Sequence, residues 1–139
     1  MNELDIARAC ARRMADADEA SRTLGISVEI PEPGAARATM RVREDMVNGF
    51  DLCHGGLIFT LADTAFAFAC NAYNQLTVAA SANIEFLRPA KLGETLVAHA
   101  CEEHRGKRSG VYSVVVENDG GERIALFRGR SASVSDTLL

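Results

Sequence analysis

One segment in the middle of the chain is apolar on every face of a helix, and it constrains the fold more than any other feature. After Gly56 the segment reads LIFTLADTAFAFAC, ending at Cys70. A helix with so broad an apolar surface is buried on most sides. The segment is too short, and too interrupted by polar residues, to span a bilayer. The sequence therefore predicts a buried central helix over residues 55–74.

A single carboxylate, that of Asp63, lies inside this apolar segment. Burying a carboxylate among apolar side chains costs several kcal/mol unless the group is paired or its pKa changes. A solvent-facing position, or pairing with Thr60 or Thr64, would be a purely structural explanation. Because the helix is so apolar, we favour a functional carboxylate over either of these.

The size, charge and cysteines of the chain indicate what kind of protein it is. Its 139 residues, 47% of them hydrophobic, are expected to form one domain over residues 1–139. The net charge is −4 and the basic residues form no long tract, so nucleic acid is not an expected partner. The first ten residues lack the apolar run of a signal peptide. The four cysteines show no paired spacing and are expected to be free thiols in a reducing cytoplasm.

The remaining chain reads as a helix followed by strands. Residues 1–25 are predicted to form an N-terminal helix ended by Gly25, packed outside the domain because its apolar stripe is mostly alanine. Strands are predicted at residues 26–30 and 36–42 before the central helix, and at 77–87, 95–102, 111–117 and 124–134 after it. The connections at 104–110 and 118–121 are short, which requires antiparallel neighbours.

This order of elements predicts an α+β architecture. A helix that is apolar nearly all round needs a sheet curved about it, rather than one lying flat beneath it. The expected structure is a hot-dog fold, in which an antiparallel β-sheet is wrapped around a long central α-helix.

A family resemblance is carried by four runs, NGFDLCHGGLIFTLADTAFAFACN, ASANIEFLRPA, GKRSGVY and ALFRGRS. They resemble the phenylacetic-acid-degradation thioesterases of the hot-dog superfamily over roughly residues 10–134, and the spacing of Asn48, Gly55 and Asp63 is the most specific part. The resemblance implies an acyl-CoA thioesterase acting on aryl- or arylacetyl-CoA, such as a phenylacetyl-CoA with or without a ring hydroxyl. It also implies a homotetramer built from two dimers. The resemblance implies no metal or redox cofactor. Coenzyme A is part of the substrate and is not counted as a cofactor.

Thioester hydrolysis requires a stabilised oxyanion and an activated nucleophile. Gly55 and Gly56 stand where a loop enters the central helix, and free N–H groups at a helix N-terminus suit an oxyanion. A tight turn would explain the two glycines equally well, but their spacing to Asp63 favours the oxyanion site. Asp63 is then either the nucleophile or the general base that activates water.

Three further residues complete the candidate catalytic set. Asn48, before Gly49, fits ordinary turn chemistry, whereas the resemblance implies that it binds substrate or orients the attacking water. His54 could steady the loop or the thioester carbonyl. The resemblance places a hydroxyl near the water at Ser81, which is otherwise a polar residue on a half-exposed strand.

The phosphates of coenzyme A are expected to meet basic side chains. Candidates are Arg88, Arg128 and the turn of Lys107, Arg108, Ser109 and Gly110, although each charge alone could simply be solvated. No metal site is expected, because Cys53 and His54 supply only two ligands and no zinc spacing is present.

Two other functions are compatible with the fold. A hydratase or dehydratase would pair a histidine with a carboxylate, and His54 and Asp63 superficially provide that pair. A non-catalytic acyl-CoA-binding regulatory domain is the third interpretation.

The spacing of Gly55 and Asp63 predicts an oligomer. Eight residues of helix separate them by roughly 12 Å, at about 1.5 Å per residue. One thioester cannot reach both, so we expect two active sites shared between the subunits of a two-fold dimer.

Overall fold

The computed structural model describes all of residues 1–139. Its helices are α1 (Glu3–Asp16), α2 (Glu19–Leu24) and α3 (Gly55–Cys70). Its strands are β1 (Ser27–Glu29), β2 (Ala35–Arg41), β3 (Thr77–Phe86), β4 (Thr95–Arg105), β5 (Ser109–Glu117) and β6 (Arg123–Ser133). Two strands, a buried helix and four strands follow one another as the sequence predicts. None of the three helices is long and apolar enough to cross a membrane.

The six strands form one antiparallel sheet in the order β1-β2-β4-β5-β6-β3. Strands β4, β5 and β6 are successive hairpin partners. Asn118 builds the second hairpin turn, where its side-chain oxygen accepts the N–H groups of Gly120 and Glu122 at 3.0 and 2.9 Å. Strand β3 pairs with β6 alone, so its other edge faces outward. The predicted α+β hot-dog fold is confirmed.

Helix α3 fills the concave side of this sheet. Leu61, Ala62 and Ala65 have no exposed surface. The ring of Phe66 packs on Tyr112 and Phe127, with ring centroids 5.6 and 5.8 Å away. At Gly129 of β6 a Cβ would lie 2.8 Å from the Phe66 ring, so the glycine is needed for the sheet to curve this closely around the helix.

The prediction that α3 continues to residue 74 is wrong, because a buried amide ends it at Cys70. The Asn71 side-chain nitrogen donates to the carbonyls of Ala67 and Thr77, both at 2.9 Å. Its oxygen accepts the N–H of Thr77 at 2.8 Å. These bonds tie the helix end to the first residue of β3 and turn the chain away from the helix axis.

The N-terminal segment forms two helices rather than the predicted single helix over residues 1–25. Asp18 starts the second helix by accepting the N–H and the hydroxyl of Ser21 at 3.0 and 2.6 Å. Gly25, with φ at 70°, ends it as predicted. Helix α1 buries only small side chains, those of Ala7 and Cys10.

Candidate active site

The N-terminus of α3 presents two free backbone donors. His54 is the N-cap residue, and its carbonyl accepts the N–H groups of Leu57 and Ile58 at 3.0 and 3.3 Å. The N–H groups of Gly55 and Gly56 meet no backbone or side-chain acceptor. Neighbouring free N–H groups at the positive end of a helix dipole can stabilise a developing oxyanion.

The loop before α3 is closed by Asn48. Its side-chain oxygen accepts the N–H groups of Phe50 at 2.9 Å and Leu52 at 3.3 Å. Asp51, with φ at 60°, completes the tight bend. Asn48 therefore performs the turn chemistry anticipated for it, while its amide nitrogen makes no hydrogen bond within the protomer. That nitrogen is available to a substrate or a water molecule.

Asp63 lies on the one accessible stripe of α3, together with Gly56, Thr60 and Ala67. The structure rules out the two threonines as its partners: Thr60 donates its hydroxyl to the carbonyl of Gly56, and Thr64 donates to that of Thr60, at 2.9 and 2.7 Å. The Asp63 carboxylate has no hydrogen-bond partner of its own. Partial burial raises its pKa above the ordinary value. A carboxylate of raised pKa is a better base for neutral-pH chemistry.

The two halves of the candidate site lie on the same helix, about 12 Å apart along its axis. Gly55 is its first residue, and Asp63 comes more than two turns later. His54 is the N-cap, nine residues before Asp63 and so roughly 13 Å from it along the helix, which is too far for a hydrogen bond between the two side chains. The His54–Asp63 pair that a hydratase would need is therefore absent within one protomer.

Cys53 does not provide an alternative nucleophile. Its side chain is buried, its Sγ donates to the carbonyl of His54 at 3.6 Å, and burial raises the pKa of the thiol. The thiolate, which is the reactive form, is thus disfavoured. No group of three or more metal-ligating side chains is close enough to hold an ion.

Ser81 lies on β3 opposite Arg130 of β6, next to an irregularity in strand pairing between Ala79 and Ser81. It is exposed, and with Arg128 and Arg130 it lines a shallow depression of about 340 Å³. The structure does not pair its hydroxyl with Asp63 in one protomer, and its catalytic role stays a prediction.

The candidate phosphate-binding residues fall into three separate places, since Arg128 lines the depression beside Ser81. Arg88 forms an ion pair with Glu122 at 3.1 Å, with both side chains more than half exposed. Strand β4 runs on to Arg105, so the turn contains only Gly106, Lys107 and Arg108.

Ser109 and Gly110 belong to β5, not to the predicted turn. Gly110 is buried, and a Cβ on it would lie 2.9 Å from the carbonyl oxygen of His104. Lys107 and Arg108 are exposed and form no ion pair. They are therefore the pair in this region that is free to meet a phosphate.

A cavity of about 640 Å³ in the protomer does not coincide with this site. It lies between the N-terminal helices and β1, and contains neither Gly55 nor Asp63. A site completed by a second subunit would not form an enclosed cavity in one protomer, so we assign the site from its chemistry.

Sequence reasoning missed one residue beside the oxyanion donors. The ring of Phe86, at the end of β3, packs against Gly55. An aromatic residue before the strand-ending Pro89 is the only sequence signal, and it is equally typical of core packing.

A curved sheet around a buried helix, free N–H groups at that helix's start and a carboxylate further along it define a hot-dog thioester hydrolase. Comparison with known proteins agrees. Residues 50–125 match the model of the thioesterase superfamily. The chain belongs to that superfamily.

Individual members of the superfamily are similar to this chain over most of its length. Acyl-coenzyme A thioesterase PaaI of Escherichia coli is 43% identical over 128 residues, which cover 92% of this chain and 91% of that protein. Its solved structure, from the phenylacetic acid degradation operon, superposes with a TM-score of 0.96 at 41% identity, covering 98% of this chain and 99% of that one. Human acyl-coenzyme A thioesterase 13 is 33% identical over 80% of this chain and 81% of its own length. A Streptococcus mutans protein solved with acetyl-CoA is 25% identical, with a TM-score of 0.77 over 81% of this chain and 90% of its own.

Proposed function

We propose that this thioesterase hydrolyses aryl- or arylacetyl-CoA to the free acid and coenzyme A. The observation that carries the acyl-CoA class is the near full-length similarity to acyl-coenzyme A thioesterase PaaI. The aromatic acyl group is supported by the phenylacetic acid degradation operon of that relative. Coenzyme A enters as part of the substrate, and we propose no separate cofactor.

The residues of the site suit this reaction. The thioester carbonyl oxygen would accept hydrogen bonds from Gly55 and Gly56, which strengthen as negative charge develops on it. The Asp63 carboxylate would either attack the carbonyl carbon or remove a proton from the attacking water. If Asp63 acts as the base, the carbon–sulfur bond then breaks, and the proton that Asp63 took from the water passes to the departing sulfur, which gives the free acid and the thiol of coenzyme A. If Asp63 acts as the nucleophile, breaking of that bond leaves an acyl–Asp63 anhydride and a thiolate that takes a proton from solvent. Water would then hydrolyse the anhydride to the free acid and restore the carboxylate.

We propose that two protomers share each site. Strand β3 has an open edge ten residues long, with Val78 48% exposed. A second copy related by a two-fold axis could pair along this edge and place its α3 antiparallel to the first. The partner's carboxylate would then approach this protomer's Gly55. Two such dimers would make the tetramer that the resemblance implies.

The acyl preference is tested by measuring thiol release across short, medium, long and aromatic acyl-CoA thioesters. We expect phenylacetyl- or benzoyl-CoA to have a higher kcat/KM than palmitoyl-CoA. This expectation rests on the near full-length similarity to PaaI, which belongs to a phenylacetic acid degradation operon. A clear preference for palmitoyl-CoA would contradict the proposed substrate, and accumulation of an enoyl product by absorbance would indicate a hydratase instead.

Replacing Lys107 and Arg108 together with alanine is expected to raise KM for CoA thioesters several-fold, with a strong dependence on salt. Turnover at saturation should change little, because phosphate anchoring acts equally on the ground and transition states. The matched control replaces Arg12 and Arg13, an exposed pair on α1, and should leave KM unchanged. An equal loss with a truncated pantetheine thioester would show that the turn does not bind phosphate.

A further inference from the structure

The aromatic ring of Phe86 covers one side of Gly55. A Cβ built on Gly55 would lie 3.0 Å from Cζ of Phe86, and 3.4 and 3.5 Å from its two Cε atoms. These are the nearest atoms to that point. A Cβ on the adjacent Gly56 would meet nothing within 4 Å. The candidate oxyanion donors therefore have an aromatic wall on one side and open space on the other.

This wall is held in place by the sheet and is still accessible. Phe86 is the last residue of β3 and lies opposite Ala125 of β6. The next residue, Leu87, donates its N–H to the carbonyl of Ile124 at 2.8 Å. In one protomer the Phe86 side chain is nevertheless 52% exposed. It lies at the end of the strand whose open edge we propose for subunit pairing, so its ring borders the shared site that an acyl group would enter.

We propose that Phe86 is a specificity-determining residue whose ring contacts the acyl group of the bound thioester and favours acyl groups that carry an aromatic ring. The proposal rests on the function proposed above. A carbonyl oxygen bonded to the Gly55 N–H, at about 3 Å, holds its carbon beside Phe86. An acyl ring one or two bonds further on would then be able to approach the Phe86 ring to the 4.5–7 Å centroid separation at which aromatic pairs attract.

The Phe86 ring has no hydrogen-bonding group, and this determines which side of the thioester can lie against it. The substituent on sulfur is the pantetheine arm, whose amide groups need hydrogen-bond partners. The Phe86 ring offers none, and burying amides against it would leave them unsatisfied. An aromatic acyl group has no such requirement. The acyl side is therefore the side that gains from contact with Phe86.

The test compares kcat/KM for phenylacetyl-CoA and butanoyl-CoA in the native enzyme and in Phe86→Leu, Phe86→Met and Phe86→Tyr. Leu and Met remove the ring and should lower the phenylacetyl-to-butanoyl ratio roughly fivefold, the factor an aromatic pair contributes. Tyr keeps the ring and should preserve the ratio. Leu92→Ala, at an exposed position in the β3–β4 connection, should leave both values unchanged.

A second measurement does not require turnover. Binding of the phenacyl thioether of CoA, which cannot be hydrolysed, is compared by calorimetry with binding of the acetonyl thioether. Loss of the phenacyl preference in Phe86→Met, with the melting temperature retained, supports the proposal. An unchanged ratio, or equal losses for both ligands, overturns it. Poor hydrolysis of phenylacetyl-CoA by the native enzyme would refute the proposed substrate, while the thioether comparison would still decide the role of Phe86.

Discussion

Asp63→Asn is expected to reduce turnover at least about a hundredfold, the scale for losing an acid–base or nucleophilic group. Asn is nearly isosteric, and no hydrogen bond of the protomer depends on the carboxylate, so folding should survive. Thiol release at saturating substrate measures the effect. Asp119→Asn, in the exposed turn between β5 and β6, is the matched control and should behave as the native enzyme does. Turnover close to native in Asp63→Asn would show that the carboxylate is only structural.

The pH dependence of Asp63→Asn gives a second readout. Burial raises the folded-state pKa of Asp63 above 3.8, so the folded protein holds this proton more tightly than the unfolded chain does. The ionised carboxylate therefore lowers the free energy of unfolding. This effect is complete at a pH above the folded-state pKa, and it is absent at a pH below the pKa in the unfolded chain. Asp63→Asn should melt at a higher temperature than the native protein at neutral pH, and this difference should vanish at low pH. The acid limb of the native kcat profile should also lie above the ordinary pKa of aspartate, because the same burial raises the pKa of Asp63.

Mixing two inactive variants is expected to restore activity if the site is shared. Asp63→Asn removes the carboxylate, and Gly55→Pro removes one N–H donor of the oxyanion site. Proline is tolerated at the first position of a helix, so α3 should still form. The proline Cβ would lie 3.0 Å from the Phe86 ring, which is 52% exposed and can shift outward to make room. In a mixed dimer one site receives both defects and the other receives none. We therefore expect each homodimer to be nearly inactive and a purified heterodimer to recover about half of native turnover.

The heterodimer needs its own control. Differently tagged subunits, refolded together and purified by both tags, establish that mixed dimers are present. Mixing either variant with more of itself should restore nothing. Heterodimers that are demonstrably formed and still inactive would refute a shared site.

The parts of this fold that depend on local pattern could be predicted from sequence. The broad apolar surface of residues 57–70 indicates burial on most sides, and a curved sheet provides that. The turn at Asn118 has residues that specify it through their own backbone and side-chain chemistry. The positions of Gly55 and Asp63 on one helix likewise follow from counting residues.

The features that the sequence did not predict are those set by a contact between residues far apart in the chain. The end of α3 depends on the Asn71 amide reaching Thr77, which apolar periodicity cannot reveal. Strand β4 extends to Arg105 because β5 pairs with it through a register shift near Glu102. The contact of Phe86 with Gly55 joins the end of β3 to the start of α3, two elements far apart in sequence. Local pattern could not predict these features, and two of them bear on the candidate site.

The sheet order has a consequence for the timing of assembly. Strand β3 is made soon after α3, but its one partner within the protomer, β6, begins only at Arg123. During synthesis β3 therefore remains without a partner on either edge while β4 and β5 emerge. The edge that we propose for subunit pairing acquires its shape only when β6 has been added. Native pairing of subunits through this edge therefore waits for a nearly finished domain, and until then the unpaired strand is open to pairing with the wrong partner.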